Sequence, residues 1–278
     1  MYVEQLYTGC LAEAAYYIES NGEAAIIDPM RETEPYLELL EKRGAKLKYV
    51  METHFHADFV SGHLDLAKQT GAKLIFGPTA SPNYSSYIAE DGERFELGEV
   101  EFQVLHTPGH TMESSTFLLI DENEKNHAVF TGDTLFIGDV GRPDLAVKSD
   151  LTKEDLAGLL YESLQHKILP LADEVIVYPA HGAGSQCGKN LSKETVSTIG
   201  EQRKFNYALQ PMTKEQFVEV VTDGIGDPPA YFPENARINR EGYQNIDEIL
   251  KRNLNPLSLE QFEAVINEGA LVLDRSEE

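Results

Sequence analysis

Five short apolar runs in this 278-residue chain each stop at a turn carrying polar or histidine side chains, and that pattern limits the folds open to it. Residues 24–27 run into Asp28-Pro29, residues 47–51 into Glu52-Thr53-His54, and residues 100–105 into His106-Thr107-Pro108-Gly109-His110. Residues 128–130 run into Thr131-Gly132-Asp133, and residues 175–178 into Pro179-Ala180-His181. Short β-rich runs ended by Pro or Gly read as buried strands. Groups that bind or react are usually placed at strand ends. Helical spacing falls between the runs. Residues 61–69 show it, and residues 153–169 put Leu156, Leu159, Leu160, Leu164 and Ile168 on one face, with Thr152 as N-cap. Residues 35–42 and 194–206 carry shorter helical patterns. Alternating strands and helices predict a layered α/β architecture.

The chemistry concentrates in Thr53-His54-Phe55-His56-Ala57-Asp58, where three potential ligands follow directly on an apolar run. Histidines two apart converge on one metal when the backbone turns out of a strand. Alone, H-x-H-x-D is a weak motif. It is joined by His110 in TPGHT, Asp133 in TGDT and His181 in PAHG, each at a strand end. Imidazole and carboxylate suit a divalent transition metal, and the lack of Cys in these motifs argues against a structural zinc site. The competing reading of the same residues is ordinary surface or core polarity.

Bulk properties narrow the class. With 23 basic and 47 acidic side chains the formal charge is −24, a field that repels phosphate backbones, so no nucleic-acid partner is expected. Cys10 and Cys187 are too few for a disulfide framework, and a reducing compartment fits. The opening MYVEQLYTGC has no basic start followed by a long apolar run, and no run is long enough to cross a bilayer. The expectation is a cytoplasmic protein with no membrane partner, and a homo-oligomer as the default assembly.

The motifs HFHADF, TPGHT, GDTLF, GDVGRPD and PAHG, in this order, resemble the metallo-β-lactamase superfamily. More narrowly, they resemble its persulfide dioxygenase branch, above all the bacterial members fused to rhodanese (sulfurtransferase) domains. The resemblance implies a four-layer αββα sandwich over residues 1–245, with metal at the edge between two sheets. Residues 246–278 resemble the start of a rhodanese domain, with short helices near 246–250 and 259–266 and a strand near 270–273 leading into Asp274-Arg275. The catalytic cysteine loop of such a domain is absent, so a shortened fusion protein without sulfurtransferase activity is expected.

One departure bears on the metal. Hydrolytic relatives of the glyoxalase II type carry a histidine after the Asp of H-x-H-x-D to hold a second metal, whereas this chain has Phe59. The resemblance then implies a single Fe(II) held by His54, His110 and Asp133, with His56, Asp58 and His181 orienting ligands and bound water. The implied reaction is oxidation of a small thiol persulfide by O₂ to sulfite and thiol. Hydrolytic relatives use the position of His56 as a direct ligand. Arg142 in GDVGRPD holds a substrate carboxylate or an acidic loop, or simply pairs with Asp139 or Asp144. Cys187 contacts persulfide sulfur, accepts a sulfur atom, or is an inert small residue. Two rival functions remain: a thioester hydrolase with zinc on the same scaffold, and a non-catalytic metal-binding or sulfur-sensing module.

Overall fold

The structure, a computed structural model, describes residues 1–146, 151–189 and 191–273. Residues 1–243 form one compact unit and residues from 244 onward a second.

The first unit is built on two six-stranded sheets among the described residues. One runs β1 (Tyr2–Thr8), β2 (Glu13–Ser20), β3 (Glu23–Ile27), β4 (Lys46–Glu52), β5 (Lys73–Phe76) and β6 (Tyr87–Ile88) in spatial order. The other has β7 (Arg94–Leu97), β8 (Val100–His106), β9 (Ser115–Ile120), β10 (Asn126–Gly132), β11 (Ile176–Pro179) and β12 (Ser197–Thr198), also spatial neighbours in sequence order. The two-residue period of a strand sorts the side chains. Tyr16, Ile18, Ala25, Ile27, Met51, Phe102, Val104, Phe117, Leu119 and Phe130 share the core between the sheets. Their neighbours Ala15, Tyr17, Ala24, Ile26 and Val50 face outward under α1 (Glu34–Arg43) and α2 (His63–Thr70). On the other sheet Leu118, Ile120, Val129 and Val177 pack with Leu160, Ile199 and Phe217 of α3 (Lys153–Ser163), α4 (Ile199–Phe205) and α5 (Lys214–Thr222). The chain is therefore an α/β sandwich with helices outside both sheets.

Parallel pairing aligns the strands that matter. β3 pairs parallel with β4, and β10 with β11, so within each sheet the functional turns leave on one edge. An isolated bridge between Glu13 and His181 joins the sheets at that edge. Thr152 caps α3 through a capping box with Asp155, and the helix widens into a π-helical turn over Leu164–Ile168. The helix expected over 194–206 begins only at Ile199, because Ser197 and Thr198 pair with β11 and Thr198 then caps the helix. A further helix, α6 (Phe232–Glu241), follows the proline-rich loop.

The second unit holds α7 (Ile246–Asn253) and α8 (Leu259–Asn267), the latter opened by a Ser258–Gln261 capping box. The strand expected near 270–273 is not formed; a strand needs a neighbour to satisfy its backbone, and these residues pair with none. Asp274 and Arg275 lie outside the described residues. No helix among the described residues is long and apolar enough to cross a membrane.

Candidate metal centre

Asp28 follows β3 in the left-handed region at φ 51, a conformation uncommon outside glycine that Asp tolerates better than most residues. Its carboxylate accepts the Thr53 amide at 2.7 Å and the Thr53 hydroxyl at 2.8 Å. Since that hydroxyl proton goes to Asp28, the Thr53 oxygen is left to accept from His54 Nδ1 at 3.0 Å. His54 Nε2 therefore carries the lone pair. Burial pushes the His54 pKa well down, keeping the ring in the neutral form a metal requires. His110 is oriented by a different partner: its Nδ1 donates to the Arg142 carbonyl at 2.9 Å, which turns Nε2 toward Asp133.

Both Nε2 atoms look toward one oxygen. Asp133 Oδ2 lies 4.0 Å from His54 Nε2 and 3.3 Å from His110 Nε2, and it is buried with no hydrogen-bond partner. The three donor atoms sit within 4.8 Å of one another. Ligands about 2.1 Å from a metal, at right angles, are about 3 Å apart, so a small contraction closes a three-ligand site. Two ring nitrogens and a carboxylate oxygen converging in a buried site are an arrangement that a cation stabilises. Burial works against the Asp133 charge, but His181, His110 and His54 together hold its carboxyl well below the usual range. Gly132 lets the two turns approach: at φ 51, a Cβ there would lie 2.5 Å from Thr53 Oγ1.

His181 grips the other Asp133 oxygen, Nδ1 to Oδ1 at 2.9 Å, while its Nε2 meets Asp58 Oδ2 at 2.7 Å. Burial opposes charge on this ring, yet the two carboxylates raise its pKa well above the ordinary value. His56 is drawn the opposite way. Its Nε2 lies 3.2 Å from Asp28 Oδ1 and 3.4 Å from Glu52 Oε2, in a buried cluster of its own. Phe59, which has no donor to offer, packs its ring 4.4 Å from that of His56.

Arg142 and Cys187 are more constrained than the sequence suggests. The Arg142 guanidinium chelates Asp144 at 2.7 and 2.8 Å and also bonds the carbonyls of Gln186 and Gly226. Of the readings open at the sequence level, the ion pair with Asp144 is the one present, and the residue straps the loop that carries Cys187. The Cys187 thiol is 1% exposed, and burial, then Asp133 and Asp58, push its pKa well up. That is the opposite of the electropositive setting that makes a nucleophilic thiolate. Cys10 is exposed.

Asn239 is the residue the sequence hides. Buried on α6, it donates to the carbonyls of His56 and Phe59 at 2.8 Å each and accepts from the Ser61 amide at 2.9 Å, clamping the H-x-H-x-D turn from 180 residues away. A cavity of about 500 Å³ opens beside His110, walled by Phe55, Ala57, Met112 and Phe232, with Arg237 and Arg240 along it.

Residues 8–181 match the metallo-beta-lactamase superfamily. The chain belongs to that superfamily. The human mitochondrial persulfide dioxygenase ETHE1 is 32% identical over 201 residues, 72% of this chain and 71% of that protein. A probable hydroxyacylglutathione hydrolase of Schizosaccharomyces pombe is 27% identical over 263 residues, 85% of this chain and 96% of its own length. Among solved structures, a metallo-beta-lactamase from Staphylococcus aureus superposes with a TM-score of 0.83 at 32% identity, covering 88% of this chain and 74% of that one. The superfamily's metal motifs are thus carried here on its own fold, with Phe59 as the departure.

Proposed function

We propose that this chain is a mononuclear non-haem iron dioxygenase acting on a low-molecular-weight thiol persulfide. The observation that carries the reading is the separation of the two H-x-H histidines. His54 joins His110 and Asp133 Oδ2, while His56 is drawn to Asp28 and Glu52. Two imidazoles and one carboxylate on one face are the donor set of non-haem iron oxygenases, which keep positions open for substrate and O₂. The orphaned Asp133 Oδ2 is the observation that fits a metal to these residues. Similarity to a named persulfide dioxygenase supports the same reading.

The balanced reaction is R–S–S⁻ + O₂ + H₂O giving R–SH, sulfite and one proton. The terminal sulfur is oxidised, O₂ is reduced, and the S–S bond breaks. Iron supplies the redox chemistry toward O₂ that zinc lacks. The protein's part is orientation and proton supply. Thr53 and the Arg142 carbonyl hold the two imidazoles in one tautomer, and His181 fixes the Asp133 carboxylate. His181, protonated on both nitrogens and hydrogen-bonded to Asp58, is the group that returns a proton to the departing thiolate RS⁻. The apolar wall of Phe55, Met112 and Phe232 keeps water from the sulfur.

The competing hydrolase reading has a relative in its favour, but thioester hydrolysis on this scaffold relies on a second metal ligand where Phe59 stands. Iron-loaded protein kept anaerobic and mixed with O₂ and glutathione or coenzyme A persulfide is expected to consume O₂ and form sulfite in equal amounts. No uptake with iron verified at the site, or thioester turnover by the zinc form, would overturn the assignment.

Arg240 gives a second test. Within a chain of charge −24, an anionic persulfide needs local cations, and the cavity has Arg237 and Arg240. Arg237 is bonded to both Glu234 and Glu241, whereas Arg240 stands 3.7 Å from Glu241. Arg240→Ala is expected to raise KM for a carboxylate- or phosphate-bearing persulfide by about 2- to 5-fold, the loss of one partly exposed charge contact, with kcat little changed. An unchanged KM would remove Arg240 from substrate binding.

A further inference from the structure

Helix α6 serves two parts of the molecule at once. Phe232, Ala236 and Arg240, spaced by four residues, wall the cavity beside His110. Asn239, on the same helix and 1% exposed, reaches instead to the H-x-H-x-D turn. Its amide nitrogen donates to the carbonyls of His56 and Phe59 at 2.8 Å each, and its amide oxygen accepts from the Ser61 amide at 2.9 Å. One planar side chain thus spends both its donors and its acceptor on the backbone of residues 56–61. The helix is itself pinned through its main chain. The Tyr84 hydroxyl donates to the Asn239 carbonyl at 2.6 Å, and the Asn83 amide to the Arg240 carbonyl at 2.8 Å.

We propose that Asn239 is a positioning residue for the iron centre, holding Asp58 against His181 and His56 out of the ligand set. The two clamped carbonyls flank Asp58, whose Oδ2 meets His181 Nε2 at 2.7 Å. The clamped Ser61 gives its hydroxyl to Glu52 at 2.6 Å, and Glu52 is one of the two carboxylates that draw His56 aside. Buried carbonyls stripped of their donors turn to find others, and the turn moves with them. A displacement of about 1 Å in supporting structure is enough to slow a reaction by as much as about 100-fold without removing any ligand. The cavity wall is spared, because the bonds from Asn83 and Tyr84 go to the main chain of α6 and survive a change of the Asn239 side chain.

The inference rests on the iron reading above, and its test includes a readout independent of turnover. Asn239→Leu keeps the approximate size and removes all three bonds. Asn239→Asp keeps an acceptor for Ser61, loses both donors and sets a carboxylate against two carbonyls. Iron-loaded full-length forms are compared by O₂ uptake with glutathione persulfide, expressed per bound iron. They are also compared by the EPR spectrum of the ferrous protein exposed to nitric oxide, which reports the symmetry of the ligands. Both variants are expected to lower kcat by about 10- to 100-fold, the range for changes to a ligand's supporting contacts, with KM within about twofold. The nitric oxide signal should change shape in both. A residue that only staples the helix would lower the urea midpoint and leave kcat per iron and the signal as they were, and that result in the folded variants would overturn the proposal. A rise in KM at constant kcat would overturn it too, by placing Asn239 in substrate binding. Should Asn239→Leu fail to fold by circular dichroism, Asn239→Asp decides alone. An unaltered iron form inactive on persulfides, with the nitric oxide signal still changed by Asn239→Asp, would sink the dioxygenase reading and leave the positioning role standing.

Discussion

Asp133→Asn is expected to empty the iron centre and lower persulfide turnover by more than about 100-fold, beyond the 10- to 100-fold typical of changes that only touch a ligand's neighbours. The argument is one of charge. Asparagine keeps the size of the side chain and its contact with His181, but it replaces the one anionic ligand with a neutral amide. The two Nε2 lone pairs then face a group that no longer neutralises a divalent ion in a buried site, where Asp133 is 1% exposed. Iron measured by elemental analysis should fall from about one per chain to a small fraction, with O₂ uptake falling in step. The fold should persist, because the sheets and their cores do not depend on this oxygen. Stoichiometric iron together with undiminished uptake in Asp133→Asn would show that the metal is held elsewhere.

What the sequence makes visible here is local in character, and what it hides is long-range. The strand ends and H-x-H-x-D are legible because alternation and motif spacing are properties of a few consecutive residues. Residues 24–27, 47–51, 100–105, 128–130 and 175–178 fall within β3, β4, β8 and β10 or overlap β11. The pair β1–β2 is harder to read: Glu13–Ser20 is buried almost throughout, on both faces, so no alternation marks it. The positioning groups are hidden for a different reason. Asn239 reaches His56 and Phe59 only after α6 packs against the turn, and Asp28 reaches Thr53 only through the parallel pairing of β3 and β4. Glu13 and Cys187 come near Asp58 through an inter-sheet bridge and a loop strapped by Arg142, neither of which has a sequence period. The motif names the donors; tertiary contacts decide which histidine of the motif joins His110 and Asp133.

That decision is open to measurement at His56. Its ring stands between the carboxylates of Asp28 and Glu52, all three buried, and burial's resistance to charge is overridden by those two partners, which raise its pKa well above the ordinary value. Burial also resists the Glu52 charge, but His63 and His56 bring its pKa down to about 2. Removing one member of a buried charged cluster leaves the rest uncompensated, so His56→Ala is expected to cost about 3–5 kcal/mol of stability in urea unfolding. The pH signs differ for the two partners. Glu52, depressed from its ordinary 4.5, stabilises the fold above that value and loses the contribution as pH falls toward about 2. His56, raised, contributes fully below its ordinary 6.5 and loses the contribution as pH rises through its folded value. The gap between unaltered chain and His56→Ala should therefore be widest between about pH 4.5 and 6.5, should shrink as pH rises from there through the folded value of His56, and should narrow on acidification as the stranded carboxylates take up protons. Through that loss of stability, iron should remain near one per folded chain, because His54, His110 and Asp133 are untouched. Iron lost from His56→Ala with stability unchanged would make His56 a ligand and return the centre to the arrangement of the hydrolytic relatives.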